Sequence, residues 1–206
     1  MTKANKTVEN VLKRVEDTMF TAKLGLDNVQ SKDPKTRLAE IRNVVVFGRA
    51  VTNALQNLRG LVPDFDKWYD AHRKEMESDP LAKLFYRLRS EILKEGKLNI
   101  SSSVRLSGNP MLLLQRYAKP PHAKSFFIGD AIGGSGWVVE MDDGSTEHYY
   151  VELPGEIPGL DLDINIHFAD SPEQLKHLPV PEICQLYYEY LERMVGEAKR
   201  KFGGRH

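Results

Sequence analysis

The chain has 206 residues, 41% of them apolar and 28% charged, and its 29 Lys and Arg are balanced by 29 Asp and Glu. Such a composition describes a globular chain with a core of its own and excludes both a disordered segment and a uniformly basic nucleic-acid binder. No window approaches the roughly 18 uninterrupted apolar residues of a membrane span, and Cys184, the single cysteine, leaves no internal disulfide or cysteine-based zinc site.

The first element is an amphipathic helix over residues 6–29, where Val8, Val11, Leu12, Val15, Met19 and Ala22 recur at three- and four-residue spacing. Asp33-Pro34, a capping residue followed by proline at the first helical position, opens a second helix that stops near Gly60. A third covers 64–77, with Phe65, Trp68, Tyr69 and Met76 as its apolar side. Asp79-Pro80 repeats the opening signal, and the fourth helix ends at Gly96 with Leu81, Leu84, Phe85, Leu88 and Ile92 as its stripe. From 98 to 170 the pattern turns to short alternating runs between Gly and Pro, the mark of strands. Asp143-Gly144 supplies the turn of a hairpin across 136–153. In 160–168, Leu160, Leu162, Ile164, Ile166 and Phe168 alternate with Asp161, Asp163, Asn165 and His167, which predicts a half-buried strand. Residues 103–106, 111–117 and 124–130 are further strand candidates, the second of them readable as helix too. A last helix runs from about 181 to 202.

This order predicts an α+β fold: an N-terminal four-helix bundle, a small antiparallel sheet and a long C-terminal helix. The division falls at 1–97 and 98–206, unless the last helix packs back on the first four as one unit. The absence of an apolar leader and of disulfides points to the cytoplasm, without membrane contact. Charge is segregated along the chain: residues 1–139 balance to +8, 140–192 to −12 and 193–206 to +4. Either the two halves attract one another, or they serve different partners.

On the second helix, Arg42, Arg49, Asn53 and Gln56 lie within about 40° of one line. Val44-Val45-Val46-Phe47 covers the whole circumference beside them and predicts a helix surrounded by protein. These polar groups form an internal hydrogen-bonded network, a solvated face, or a polar pocket or RNA-facing groove in which Arg49 holds phosphate. Arg87 and Arg89 on the fourth helix make a second basic cluster. Asp161, Asp163, Asn165 and His167, met by His148 across a strand pair, are the only metal-ligand arrangement, but the glycine and terminal Glu of a calcium loop are absent, so no metal is assigned. The glycines of 129–136 read as tight turns, because no phosphate-loop Lys follows. Cys184 and the Tyr187-Tyr188-Tyr190 stripe read as core.

With its four-helix start and Arg89-Ser90 near the end of the fourth helix, the segment 5–97 resembles the HEPN-type helical domains. DPLAKLFYRLRSEILKEG is similar to a segment of bacterial proteins with such a helical half. The resemblance implies RNA, toxin–antitoxin pairs or antiphage defence as the setting. The family's catalytic signature is an Arg followed, after four to six residues, by His, which moves protons while Arg stabilises phosphate charge. Here the corresponding positions after Arg89 hold Lys94, Glu95 and Gly96, and Arg42 and Arg87 fail likewise. Arg116 and His122 match the spacing, but across Lys119-Pro120-Pro121, where no helix continues. The expectation is therefore a binding or adaptor protein without catalytic residues or cofactor. It engages RNA, a protein partner or a second copy (a homodimer) through Arg42, Arg49, Asn53, Gln56, Arg87 and Arg89. The alternatives are a metal-independent ribonuclease using Arg89 with Glu95, and an interaction module acting through the acidic 140–173 region.

Overall fold

A computed structural model describes residues 7–204; Lys6, where the first helix was expected to begin, and His206 lie outside them. The chain is mixed helix and sheet, with antiparallel sheets and a C-terminal helix. It divides into two compact units, one formed by residues 7–30, 39–98 and 171–204, the other by 31–38 and 99–170.

The helical unit holds α1 (Val8–Asn28), most of α2 (Pro34–Leu55), α3 (Phe65–Ser78), α4 (Pro80–Glu95) and α6 (Val180–Phe202). The starts follow local chemistry. Thr7 caps α1 by accepting from the Asn10 N–H, and Asp79 caps α4 by accepting from the Ala82 N–H at 2.9 Å, with Pro80 behind it. Gly96, at φ 66°, ends α4 in the left-handed conformation that glycine adopts without strain. The second helix stops at Leu55, short of the expected Gly60, and a 3₁₀ turn (Gln56–Leu58) tightens its end.

Within this unit α1 packs on α6, α3 on α4 and α4 on α6. Phe85 of α4 stacks on Tyr187 of α6 at 3.7 Å between ring centres, and Trp68 of α3 meets Phe202 edge-on at 5.4 Å. Glycine permits close helix approaches: Gly25 of α1 lies against Asn43 and the Glu40 carbonyl of α2, and Gly48 of α2 lies against the Tyr187 ring. Val44 and Val45 are buried as expected, but Val46 is only half-buried and Phe47 is 36% exposed. The middle of α2 is thus not enclosed all round, because the helices packed on it leave one side open. Tyr187, Tyr188, Tyr190 and Cys184 are buried, and burial pushes the Cys184 thiol far up from its ordinary range.

In the sheet unit the strands form two antiparallel sheets where one was expected. β1 (Ile100–Gly108) pairs with β5 (Leu160–Phe168) along nine residues in unbroken register. The other sheet has the order β2 (Ala123–Ile128), β3 (Ser135–Glu140), β4 (Thr146–Tyr150). Between β1 and β2 lies the short helix α5 (Met111–Leu114), which resolves the ambiguity of 111–117. The β3–β4 hairpin turns at Asp143-Gly144, with Gly144 at φ 80° and the Met141 N–H donating to the Ser145 carbonyl at 2.8 Å. Leu113, Ile157 and Leu160 form the core of this unit, with Tyr117, Phe126 and Leu153 against them.

The loop Gly129–Gly134 is built on Asp130. One oxygen of its carboxylate accepts from the N–H groups of Ile132 and Gly134 at 3.1 and 2.8 Å, and the other accepts from the Tyr150 hydroxyl at 2.6 Å. Arg37, in the first turn of α2, donates to the Ile132 carbonyl at 2.6 Å. The expected meeting of His148 with the acidic face of β5 does not occur. β5 pairs with β1, whereas His148 on β4 stands opposite Val138 and faces Asp130 at 3.5 Å. Among the described residues no three His, Cys, Asp or Glu side chains are grouped to hold a metal ion.

Candidate binding cleft

The helical unit contains a cleft of about 760 Å³ walled by α2, α3 and α4, with Tyr187 of α6 lining it as well. Arg49 of α2 occupies the centre of its chemistry. One guanidinium nitrogen, Nη1, donates to the Thr52 hydroxyl at 2.6 Å, and that hydroxyl donates to the Arg49 carbonyl at 3.0 Å. The guanidinium lies 5.6 Å from the centre of the Tyr86 ring, a cation–π arrangement. Its Nε is buried and has no hydrogen-bond partner among the described residues. No carboxylate lies within ion-pair distance of Arg49 among the described residues; the Thr52 hydroxyl and the Tyr86 ring lie beside it.

The rest of the cleft surrounds this centre. Gln56 Nε2 donates to the Tyr69 hydroxyl at 3.0 Å, and Tyr69 donates to the Thr52 carbonyl at 3.3 Å. Arg49, Thr52, Tyr69 and Gln56 thus form one hydrogen-bonded chain joining α2 to α3. Burial raises the Tyr187 hydroxyl well above its ordinary pKa, while neighbouring Arg49 pulls the other way. Arg59 and Arg73 line the cleft with partners already in place: Arg59 meets Asp66 at 2.7 Å, and Arg73 meets Asp70 and Glu77 at 3.3 and 3.7 Å. Lys83 adds a cation with no carboxylate partner among the described residues, and Tyr86 presents a ring that is 60% exposed. Four basic side chains face one acid, Glu77, across an aromatic floor.

Of the six residues expected to bind, Arg49 and Gln56 line this cleft. Arg42 is used elsewhere, donating from Nη2 to the Gly96 carbonyl at 2.9 Å and so tying α2 to the end of α4. Asn53 is exposed on α2 but does not line the cleft, and neither do Arg87 and Arg89 on α4. Arg87 stands 3.7 Å from Glu91. Sequence reasoning missed Tyr86, Lys83 and Arg73. Lys83 and Tyr86 are three apart on α4, and Tyr69, Arg73 and Met76 recur at four and three on α3, so each set shared a helix face. Nothing in either spacing showed that the faces converge.

Arg116 and His122 do not form a helical pair: α5 ends at Leu114, and His122 takes a left-handed φ of 61° in a turn. Glu95 is engaged by Lys97 at 2.8 Å, which holds its carboxyl below the usual range.

Residues 10–125 match the family model described as Bacteriophage lambda protein ea47, more than half of the chain. The chain belongs to the phage lambda Ea47 family. The part of this Ea47-family chain that matches includes α2, α3 and α4, and hence Arg49, Gln56, Tyr69, Lys83 and Tyr86; Tyr187 lies beyond it. No curated protein and no solved structure matches the chain. No helix among the described residues is long and apolar enough to cross a membrane.

Proposed function

We propose that this Ea47-family chain is a non-catalytic binding protein of the bacterial cytoplasm that takes single-stranded RNA in the Arg49 cleft. The observation that carries the reading is Arg49 itself, a guanidinium with an orphaned buried Nε and no carboxylate partner, set against the exposed face of Tyr86. Such a group recognises phosphate, and an exposed ring beside it offers a base a stacking platform. Lys83 extends the cationic wall for the neighbouring phosphate. The helices that build the cleft are those whose sequence resembles the HEPN type. A four-helix bundle of that type without its Arg–His pair would keep RNA recognition and lose cleavage, which suits a defence or toxin–antitoxin setting.

The test is fluorescence anisotropy of a labelled single-stranded RNA at low salt. Binding should weaken as salt rises, because each phosphate contact releases counterions. Arg49→Ala should flatten that salt dependence. Tyr86→Ala should cost about 1–3 kcal/mol, the worth of one base stacked on an aromatic ring, while Arg87→Ala, outside the cleft, should leave affinity unchanged. Absence of RNA binding by the intact chain at low salt would sink the proposal. RNA cleavage in EDTA, abolished by Arg89→Ala, would overturn its non-catalytic part.

A further inference from the structure

β1 and β5 make a sheet of two strands, and among the described residues no further strand pairs with either edge, the Ser102 hydroxyl of β1 donating to the Gly129 carbonyl at 2.9 Å. No residue of β1 makes a backbone hydrogen bond outside its ladder with β5 among the described residues. Folded proteins protect such edges with proline, lysine, bulges or a covering element, since a bare edge templates pairing with another strand. β1, reading Ile-Ser-Ser-Ser-Val-Arg-Leu-Ser-Gly, has no proline, no lysine and no bulge along its nine residues. Val104 and Leu106 lie 40% and 38% exposed on it. A two-stranded ribbon is also marginal on its own, whereas four strands form a stable sheet.

We propose that two copies of this chain associate by antiparallel pairing of β1 with β1 about Val104, giving a sheet in the order β5–β1–β1–β5. Full overlap of the nine residues admits one centre, Val104, and sets Val104 opposite its equivalent. Ser103 then stands opposite Arg105, Ser102 opposite Leu106, and Ser101 opposite Ser107. No like charges face each other, and the two exposed apolar side chains gain cross-strand neighbours. Charge decides between the two edges. Pairing of β5 about Ile164 would gather Asp161 and Asp163 from both copies on one face, whereas β1 brings only Arg105, which its own ladder already sets beside Asp163.

Register-specific crosslinking tests the pairing. Val104→Cys should give a disulfide-linked dimer under mild oxidation, since directly opposed residues lie within disulfide reach and native Cys184 is buried. Glu147→Cys, on exposed β4, should stay monomeric. Light scattering over a concentration series should show Ser103→Glu tightening the dimer several-fold through two new pairs with Arg105, and Ser103→Lys weakening it several-fold. Both variants leave the Arg49 cleft untouched, so RNA binding should not change. A monomer at every concentration, a dimer crosslinked through Glu147→Cys instead, or Ser103 variants that move association in the same direction would overturn the proposal.

Discussion

At Gly48 a single missing methyl group decides how closely α2 approaches α6. A Cβ there would stand 2.8 Å from Cε1 of Tyr187, a ring pinned against Phe85 and unable to swing aside. Gly48→Ala should destabilise the helical unit by about 1–3 kcal/mol, the usual cost of overpacking, read as a lower urea midpoint. Tyr150 answers to pH. Burial and the hydrogen bond to Asp130 push its hydroxyl up to about 12. The folded chain therefore holds this proton more tightly than the unfolded chain does. Its stabilisation is whole below the ordinary tyrosine value of about 10 and is lost as pH rises through the folded value. Thermal melts should fall over that alkaline window, and Tyr150→Phe should flatten the fall. An unchanged pH profile in the Phe variant would rule out Tyr150 as its source.

Among the elements, α4 shows how much one end of a helix can do. Its N-terminus rests on Asp79 and Pro80, its C-terminus on Gly96, and between them it gives Phe85 to the core and Tyr86 to the cleft. Asp79→Ala removes the acceptor for the Ala82 N–H and should cost about 1 kcal/mol. Asp79→Asn, which keeps an acceptor, should recover most of that in the same denaturation experiment. A helix is cheap to read because its signals are local. The cap, the proline and the apolar stripe all sit within a few turns of one another. Strand pairing carries no such local mark, so the run 160–168 announced a half-buried strand without saying that β1, some sixty residues earlier, would be its neighbour.

Across the whole molecule, the segregation of charge along the sequence does not survive folding. Residues 1–139 balance to +8, yet the helical unit also takes in the acids of α6 and the turn before it. Its described residues hold 19 basic and 18 acidic side chains, against 7 and 11 in the sheet unit. The described helical unit is therefore close to neutral, and the anion recognition proposed for the cleft rests on local placement around Arg49 and not on a generally basic surface. Cys184, fully buried in α6, reports on the same unit. Its reaction with a thiol reagent should be negligible in the folded chain and should rise in step with unfolding by urea; fast labelling under native conditions would show that α6 opens independently.

What the sequence determined by itself was the five long helices, the start of the fourth at Asp79-Pro80 and its end at Gly96, the hairpin at Asp143-Gly144 and the burial of Cys184 and the tyrosine stripe. Each follows from periodicity or turn chemistry within a short window. Only the tertiary structure decided that the strands split into two sheets and that α6 joins the helical unit. It also decided that Arg42 closes a helix end while Arg49, on the same face of α2, lines a cleft. Arg49, Tyr69, Tyr86 and Tyr187 come from four helices spread over nearly 140 residues of chain. Their convergence depends on which helix faces bury one another and how closely, down to the bare Cα of Gly48, and no local pattern in the sequence encodes that distance.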